Sequence, residues 1–455
     1  MDIKQIIELQ QQFFKSGKTL DINFRLQTLK TIENAIKQYE PKIMEALKQD
    51  LGKSAFEGYM CEVGMTLSEI SYLKKHIKKL AKPKTKRTPL AQFPSKSFQI
   101  KVPYGNVLIL SPWNYPFMLA FEPLVDAIAA GNTVVLKPGS YAKHTSKIMK
   151  EIIENNFNPE YIAVVEGGRD VNQELLDQKF DYIFFTGSKD VGKLVLEKAA
   201  QHITPVTLEL GGKSPCIIDK SANLEISARR LVFGKFLNLG QTCVAPDYLL
   251  LHKDIAEQFL PILKQEIIKQ FGKNPLENPD YGKIINEKHF ERLKNLINGE
   301  KILIGGNNDN NARIEPTVLL DITLNSPVMQ EEIFGPILPV LIYETHQQAI
   351  QIIEQNSHPL ALYIFANNKK VIKQYLHTVP FGGGCVNDTI IHLATSNMGF
   401  GGVGQSGMGS YHGKYGFNTF SHIKSIVNKK YWLDLPMRYQ PYTKGKEKLV
   451  RKFMK

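Results

Sequence analysis

Cysteine is scarce. The chain holds four in 455 residues, Cys61, Cys216, Cys243 and Cys385, and no two form a C-x-x-C pair. That spacing argues against a zinc framework or a disulfide scaffold and predicts a protein of a reducing cytoplasm without a metal site. Long apolar runs are also missing. No segment approaches the roughly 20 residues of a membrane span, so no transmembrane segment is expected. The opening "MDIKQIIELQQQFFKSGK" lacks the basic flank and apolar core of a signal peptide; it reads as a mixed-charge amphipathic helix. No internal repeat of roughly 20–50 residues is visible, which excludes a solenoid.

Acidic charge is in deficit: 44 Asp and Glu face 57 Lys and Arg, a formal net charge of +13. The excess is clustered in "KKHIKKLAKPKTKR" (Lys74–Arg87) and in the tail "KGKEKLVRKFMK" (Lys444–Lys455). The first reads as a solvated helix face running into a linker, and the tail as a disordered or packed terminus. Neither sits in a recognisable nucleic-acid module, so no nucleic-acid partner is expected.

What is present is a change of periodicity. The first 80 residues carry apolar positions at helical spacing, with Gly52 as a stop. "TPLAQFPSKSFQIKVPYG" predicts a connection and an edge strand. Short apolar runs then alternate with helical stretches: "NVLILSP", "TVVLKP", "YIAVVEGG", "DYIFFTGS" and "VTLELGG". This is the pattern of a parallel α/β sheet buried on both faces, which binds ligands beyond the carboxyl ends of its strands. From Lys213 the alternation resumes, with "SPCIID", a helix near Ala222–Phe236, "YLLLHK" and a helix over Ile255–Phe271, predicting a second α/β domain. The section from Asn387 is glycine-rich and ends in a strand, "TFSHIKSIV".

Gly402, Gly404 and Gly407 in "FGGVGQSGMG" have the G-x-G-x-x-G spacing of a dinucleotide fingerprint. Their context does not fit it. "HLATSNMG" before them is no strand, and Thr419–Lys430 supplies no acid for a ribose, so the stretch reads as a loop.

The strand ends hold better candidates: Asn114 in "LSPWN", Lys137 in "LKPGS", Gly187 and Gly192 in "FFTGSKDVG", and Glu209 in "LELGG". Gly187 permits a tight turn, and Ser188 can cap the following helix, whose N-terminus can face a phosphate. Cys243 in "NLGQTCVAPDYLL" follows Gly240, which permits an irregular backbone. Its thiol is either a buried structural group or an exposed one placed beside a bound carbonyl. Glu209 suits a cap, a surface group or a base. The adjacent Glu331 and Glu332 suit a solvated pair as well as a site.

Taken in order, "PWNYPF", "LKP", "FTGS", "LELGGKSP", "GQTC" and "EEIFGP" resemble the aldehyde dehydrogenase superfamily, over about Phe24 to Lys429. The ending "GVGQSGMGSYHGKYGFNTFSH" looks like its class 3 branch, which is typically dimeric and takes NAD or NADP. The resemblance implies an α/β fold: a Rossmann-type parallel-sheet cofactor domain, an α/β catalytic domain and a small β oligomerisation arm. The corresponding boundaries are a helical part at 1–88, an arm strand at 89–103, the NAD(P) domain at 104–210 and the catalytic domain at 211–386. A substrate-side loop and oligomerisation strand follow at 387–430, and a basic tail at 431–455.

The resemblance also implies roles. Cys243 is the nucleophile, Glu209 the base for hydrolysis, and the Asn114 amide with the Cys243 N–H the oxyanion hole. Trp113, Lys137, Ser140, Thr186, Gly187, Ser188, Gly192, Glu332 and Phe334 face the cofactor. Tyr115, Phe233, Leu239 and Phe400 line a pocket for an apolar aldehyde, and His392 is read as a packed residue. A homodimer in the cytoplasm is implied. A CoA-acylating relative is the alternative, against which Glu209 argues; a thiol hydrolase would need a His base near Cys243 that no motif supplies. One departure stands out: where the family often carries Glu to hold the ribose hydroxyls, this chain has Ser140.

Overall fold

A computed structural model describes residues 2–309 and 311–454. The chain opens with three helices, Ile3–Lys15, Ile22–Leu51 and Gly64–Ala81. Their starts are written locally: Asp2 and Gln5 form a capping box, and the Asp21 carboxylate accepts from the Asn23 N–H. The predicted stop is real. Gly52 adopts the left-handed conformation (φ 68°) and donates its N–H to the Lys48 carbonyl.

The first sheet has the order Gly407–Met408, Val206–Leu210, Tyr182–Gly187, Asn106–Leu110, Thr133–Lys137, Ile162–Val164. All its pairings are parallel except that of Gly407–Met408. The chain enters at Asn106–Leu110, builds outward through Thr133–Lys137, then returns to place Tyr182–Gly187 on the other side. The strand order therefore reverses beside Asn106–Leu110, where an open α/β sheet leaves its ligand crevice. Every residue of Asn106–Leu110 and Thr133–Lys137 is buried, as helices on both faces require.

The second sheet has the order Lys301–Ile304, Thr317–Leu320, Ile337–Tyr343, Tyr248–His252, Pro215–Ile218, Ala361–Phe365, Gly383–Val386. It is parallel except at Lys301–Ile304. The helices Leu224–Phe236 and Ala256–Phe271 lie in the same part of the chain as this sheet.

Three expectations need correction. Ser95–Pro103 is not an edge strand. It is the middle of a three-stranded antiparallel sheet, between Lys84–Lys86 and the nine-residue partner Ser421–Lys429. The partner lies more than 300 residues away, so local pattern could not reveal it. The supposed linker Lys84–Lys86 is itself the edge. The tail is neither disordered nor packed: Lys444–Phe453 is a largely exposed helix capped by Thr443, and Lys455 of the basic run lies outside the described residues. Among the described residues no helix is long and apolar enough to cross a membrane.

Candidate active site

Cys243 is presented by an unusual turn. The helix Leu224–Phe236 runs into Leu237–Gly240, where Asn238, Leu239 and Gly240 have φ of 51°, 52° and 68°. A Cβ on Gly240 would stand 2.3 Å from the Gly335 carbonyl oxygen, so glycine is required twice over. The turn places Cys243 with part of its surface accessible and with its own N–H and that of Val244 on the sulfur. Burial first, then the charges of Glu332 and Glu209, push the thiol up to about 12. In the free site it is therefore a thiol and needs a base.

Glu209 lies at the end of Val206–Leu210, 3 % exposed, with neither carboxylate oxygen hydrogen-bonded. Burial holds its carboxyl well above the ordinary range. The glycine-rich loop covers it. Gly407 pairs across from Glu209, and a Cβ on Gly401 would come within 3.1 Å of Glu209 Oε1. Gly407 has no room either, since its Cβ would lie 2.2 Å from the Leu208 carbonyl. The false fingerprint is thus a lid strand whose glycines permit close approach to the carboxylate strand.

Asn114 is buried and fixed from three sides. Its Nδ2 donates to the Gln241 carbonyl at 3.0 Å, and its own carbonyl accepts from Asn238 Nδ2 at 2.8 Å and Lys53 Nζ at 3.0 Å. One amide hydrogen is thereby anchored and the other is left to a ligand. Tyr115 is buried, with its hydroxyl 2.7 Å from Thr242 Oγ1.

Lys53 and Glu62, which the sequence reading missed, form a buried ion pair of 2.5 Å. Glu62 Oε2 accepts the N–H groups of Phe117 and Met118 at 2.9 Å each, and Lys53 also sits 4.0 Å over the Tyr115 ring. The pair clamps the Asn114–Met118 segment at both ends. Removing one partner of such a pair leaves a bare buried charge and costs about 3–5 kcal/mol. Lys53→Met is expected to lower the thermal midpoint sharply, and Lys53→Met with Glu62→Gln to recover part of it. Melting curves of the single and double variants check this, and equal midpoints would refute it.

The remaining strand ends converge on the same crevice. Lys137 is buried with no carboxylate acting on it, and burial lowers its ammonium to about 8. Thr186 Oγ1 is buried without a partner. A Cβ on Gly192 would meet Leu210 at 2.7 Å, so this glycine lets the helix Lys189–His202 pack on its neighbouring strand. A Cβ on Gly139 would meet Pro112 at 2.8 Å, which draws the Lys137–Ser140 turn against Trp113. An unpaired cation and an unsatisfied hydroxyl at a switch point suit a polar anionic ligand such as a dinucleotide. Trp113 packs with Phe334 (5.4 Å between centroids), His289 (5.3 Å) and Tyr141 (6.4 Å); the last two were not foreseen. Ser140 and Ser188 are exposed, but Ser188 departs from expectation. It occupies the N-cap position of its helix without a side-chain capping bond.

Glu332 lies against Gly211, where a Cβ would stand 2.0 Å from its Oε2. It accepts the Gly212 N–H, and burial with the nearby Asp247 raises its carboxyl to about 8. Its loop is held by another buried pair the sequence did not reveal. Lys213 bonds Asp247 at 2.5 Å and the carbonyls of Val328 and Glu331, while Asp247 accepts the Ile333 N–H.

The expected aldehyde pocket divides. Phe400 is buried beside His392, Tyr411 and His412, with all three ring centroids 5.9 Å away. His392 itself is packed, its Nδ1 3.6 Å from Cys385 Sγ. Phe233 and Leu239 instead line a separate cavity whose walls include neither Cys243, Glu209 nor Asn114. Leu239 is 2 % exposed and belongs to the apolar cluster beside the second sheet, with Tyr281 and Ile284. Its positive φ turns the side chain inward. Among the described residues no three His, Cys, Asp or Glu side chains gather to hold a metal ion.

The two sheets thus hold a thiol, a bare carboxylate that acts on it and an anchored amide beside the crevice of an open α/β sheet, where enzymes of this architecture take a nucleotide. The sequence pattern of the aldehyde dehydrogenase family matches residues 1–426. The chain is 47 % identical over 446 residues to the 4,4'-diaponeurosporen-aldehyde dehydrogenase of Staphylococcus aureus, covering 97 % of each. It is 42 % identical over 454 residues to mouse aldehyde dehydrogenase family 3 member A2, covering 99 % of this chain and 94 % of the relative. The solved substrate-bound state of Staphylococcus aureus AldH superposes with a TM-score of 0.98 at 46 % identity and complete coverage of both chains. The chain belongs to the aldehyde dehydrogenase family.

Proposed function

We propose that the protein oxidises an apolar aliphatic or aromatic aldehyde to its carboxylic acid with NAD or NADP and without CoA. The observation that carries this is the partnerless Glu209 carboxylate whose charge acts on Cys243. Cys243 gives up its proton to solvent water as its sulfur bonds to the aldehyde carbon. The resulting oxyanion takes hydrogen bonds from the Asn114 amide and the Cys243 N–H; one such donor contributes about 2.7–4 kcal/mol. Lys137, Thr186, the Gly187–Gly192 turn and Glu332 would hold NAD(P), which would supply the hydride acceptor. A Cys243 thioester is left. Glu209 takes a proton from a water that attacks it, and the acid leaves with the thiol restored. Tyr115 and Phe400 shape the aldehyde site. A thioester awaiting CoA would gain nothing from a buried water-activating base, which argues against the CoA-acylating alternative.

The test is reduced-cofactor fluorescence with a panel of aldehydes, with and without CoA. Turnover that requires CoA would reject the reading. The Staphylococcus aureus relative is named a 4,4'-diaponeurosporen-aldehyde dehydrogenase, and that aldehyde belongs in the panel. A homodimer through the arm belongs to this reading, and what supports it is that Ile423, Ile426 and Val427 of Ser421–Lys429 are exposed on a strand with one edge unpaired among the described residues.

Cofactor choice follows from Ser140. A Glu there would repel a 2′-phosphate by about 1–2 kcal/mol after screening, about tenfold in binding. NADP is therefore expected to work within about tenfold of NAD, and Ser140→Glu to shift kcat/KM toward NAD by about that factor. A ratio unmoved by the substitution would place the choice in the backbone near Gly187.

A further inference from the structure

The helix Met118–Ala130 is buried along its whole length, yet it carries two acids one turn apart, Glu122 and Asp126. Glu69, buried on the helix Gly64–Ala81, brings a third carboxyl that acts on both. The other titratable groups around them are Glu62 from Tyr59–Val63, Tyr72 from Gly64–Ala81, and Tyr411 and His412 from the far end of the glycine-rich loop. Among the described residues no lysine or arginine acts on Glu122 or Asp126, and Lys414, the lysine next along from His412, is exposed. His412 is no counter-charge either: burial first, then His392, lower its ring to about 3. Three carboxyls shut from water without a cation cannot all be ionised. Burial first, then the neighbouring acids, hold Glu122 and Asp126 well above the ordinary carboxyl range.

The end of the lid is seated on this cluster. His412 Nδ1 stands 3.4 Å from Glu122 Oε2, the His412 N–H acts on Asp126, and the Gly413 N–H donates to Glu69 Oε1 at 2.6 Å. His412 has a φ of 79°, a conformation that a residue with a side chain keeps only where its surroundings impose it. A Cβ on Gly416 would overlap Asp126 Oδ2, so only glycine lets the helix Gly413–Thr419 come this close. From His412 the contacts lead to the reaction site. Its ring stacks on Tyr411 at 4.1 Å, and Tyr411 exchanges both backbone hydrogen bonds with Phe400, at 3.0 and 2.9 Å. The next residue, Gly401, lies against Glu209 Oε1. Tyr411 feels Glu122 and Asp126 on one side and Glu209 and Cys243 on the other.

We propose that Glu122 and Asp126 are positioning residues which, as protonated acids, seat the lid over Glu209 through His412. A neutral carboxyl can face a neutral imidazole and a backbone N–H without leaving a bare charge. Ionised, the two would stand beside Glu69 with nothing to balance them, and the lid would have to lift to admit water. Opening returns both carboxyls to their ordinary range, about 4, so it releases protons. The sign follows. A carboxyl raised in the closed state favours closure fully below its ordinary range, and that contribution is lost as pH climbs toward the raised value. Opening therefore becomes easier as pH rises. The consequence for turnover rests on the aldehyde reading, under which the seated lid keeps Phe400 in the aldehyde wall; the anchoring itself does not.

Hydrogen exchange of the full chain reads the opening, by mass spectrometry of peptides covering 400–413 between about pH 6 and pH 8, corrected for intrinsic exchange. Each acid that gives up its proton on opening contributes about tenfold per pH unit. Glu209 is uncovered by the same motion and adds a step of its own, which Glu209→Gln measures. Opening of the wild type is expected to rise with pH. Glu122→Gln and Asp126→Asn are each expected to remove about one tenfold step per unit, because an amide keeps the shape and donor of the neutral acid and cannot ionise. Wild-type opening that ignores pH, a slope unaltered in either variant, or a slope abolished by Glu209→Gln alone would overturn the proposal. So would failure of either amide variant to fold, since the folded chain would then need the charge. The measurement uses no turnover, so failure of the aldehyde panel and failure of the anchor are separate results.

Discussion

Cys243→Ala is expected to fold, to bind cofactor and to lose the oxidation of every aldehyde. In the proposed mechanism the thiol supplies the bond that makes hydride departure possible, so no residual route remains for the variant. Acidity does not single out this cysteine. Burial pushes the thiols of Cys61 and Cys243 alike to about 12 and raises those of Cys216 and Cys385. Cys385 even has an imidazole, His392, 3.6 Å away, but burial lowers that ring to about 4, so the pair stays neutral. What distinguishes Cys243 is position. Cys61 and Cys385 are also partly accessible, and Cys385 too has two backbone N–H groups on its sulfur, but of the four cysteines Cys243 is the one on which the Glu209 carboxyl acts. Iodoacetamide labelling read by mass spectrometry checks the assignment. Modification should concentrate on Cys243 and accelerate with pH, by about tenfold per unit while the thiolate is the minor form. Preferential labelling of Cys61, Cys216 or Cys385 would sink it.

Part of this site is legible in the chain because parallel sheets obey simple rules. A run such as "NVLILSP" or "VTLELGG" declares a buried strand. The residue that follows must then lie on the ligand side, which is how Asn114, Lys137 and Glu209 are found without a structure. Gly52 and Gly240 are legible for the same local reason, since each ends a helical stretch where the backbone must turn left-handed. The clamps are not legible. Lys53 and Glu62 sit in "LGKSAFEGYMCEVG", where charges at helical spacing ordinarily face water. Only the return of Phe117 and Met118, more than 50 residues later, buries them. Lys213 and Asp247 are hidden in the same way. Leu239 misleads because its place beside Cys243 in sequence suggests a shared pocket, while its φ of 52° sends the side chain into the core. The middle strand Ser95–Pro103 misleads because its partner is supplied from the far end of the chain.

Glu209→Gln is expected to cut steady-state turnover by about 10²–10⁴, the range of a lost general base, while leaving the first turnover far less affected. Glutamine keeps the shape of the side chain, and the wild-type carboxylate makes no hydrogen bond that the amide would forfeit. The lid strand should therefore stay in register, with Gly407 opposite position 209. A burst of reduced cofactor followed by a slow phase is the expected trace, and an acylated Cys243 should accumulate and be visible by mass. The wild type adds a second reading. Burial raises the Glu209 carboxyl well above its ordinary range, so the base is protonated at low pH. Deacylation should rise with pH through that raised value and then level, and the Gln variant should lose this limb of the profile. An unchanged limb, or full turnover in the variant, would assign the water-activating role to another group. Glu332, raised to about 8 and also close enough to act on Cys243, would be the next to test.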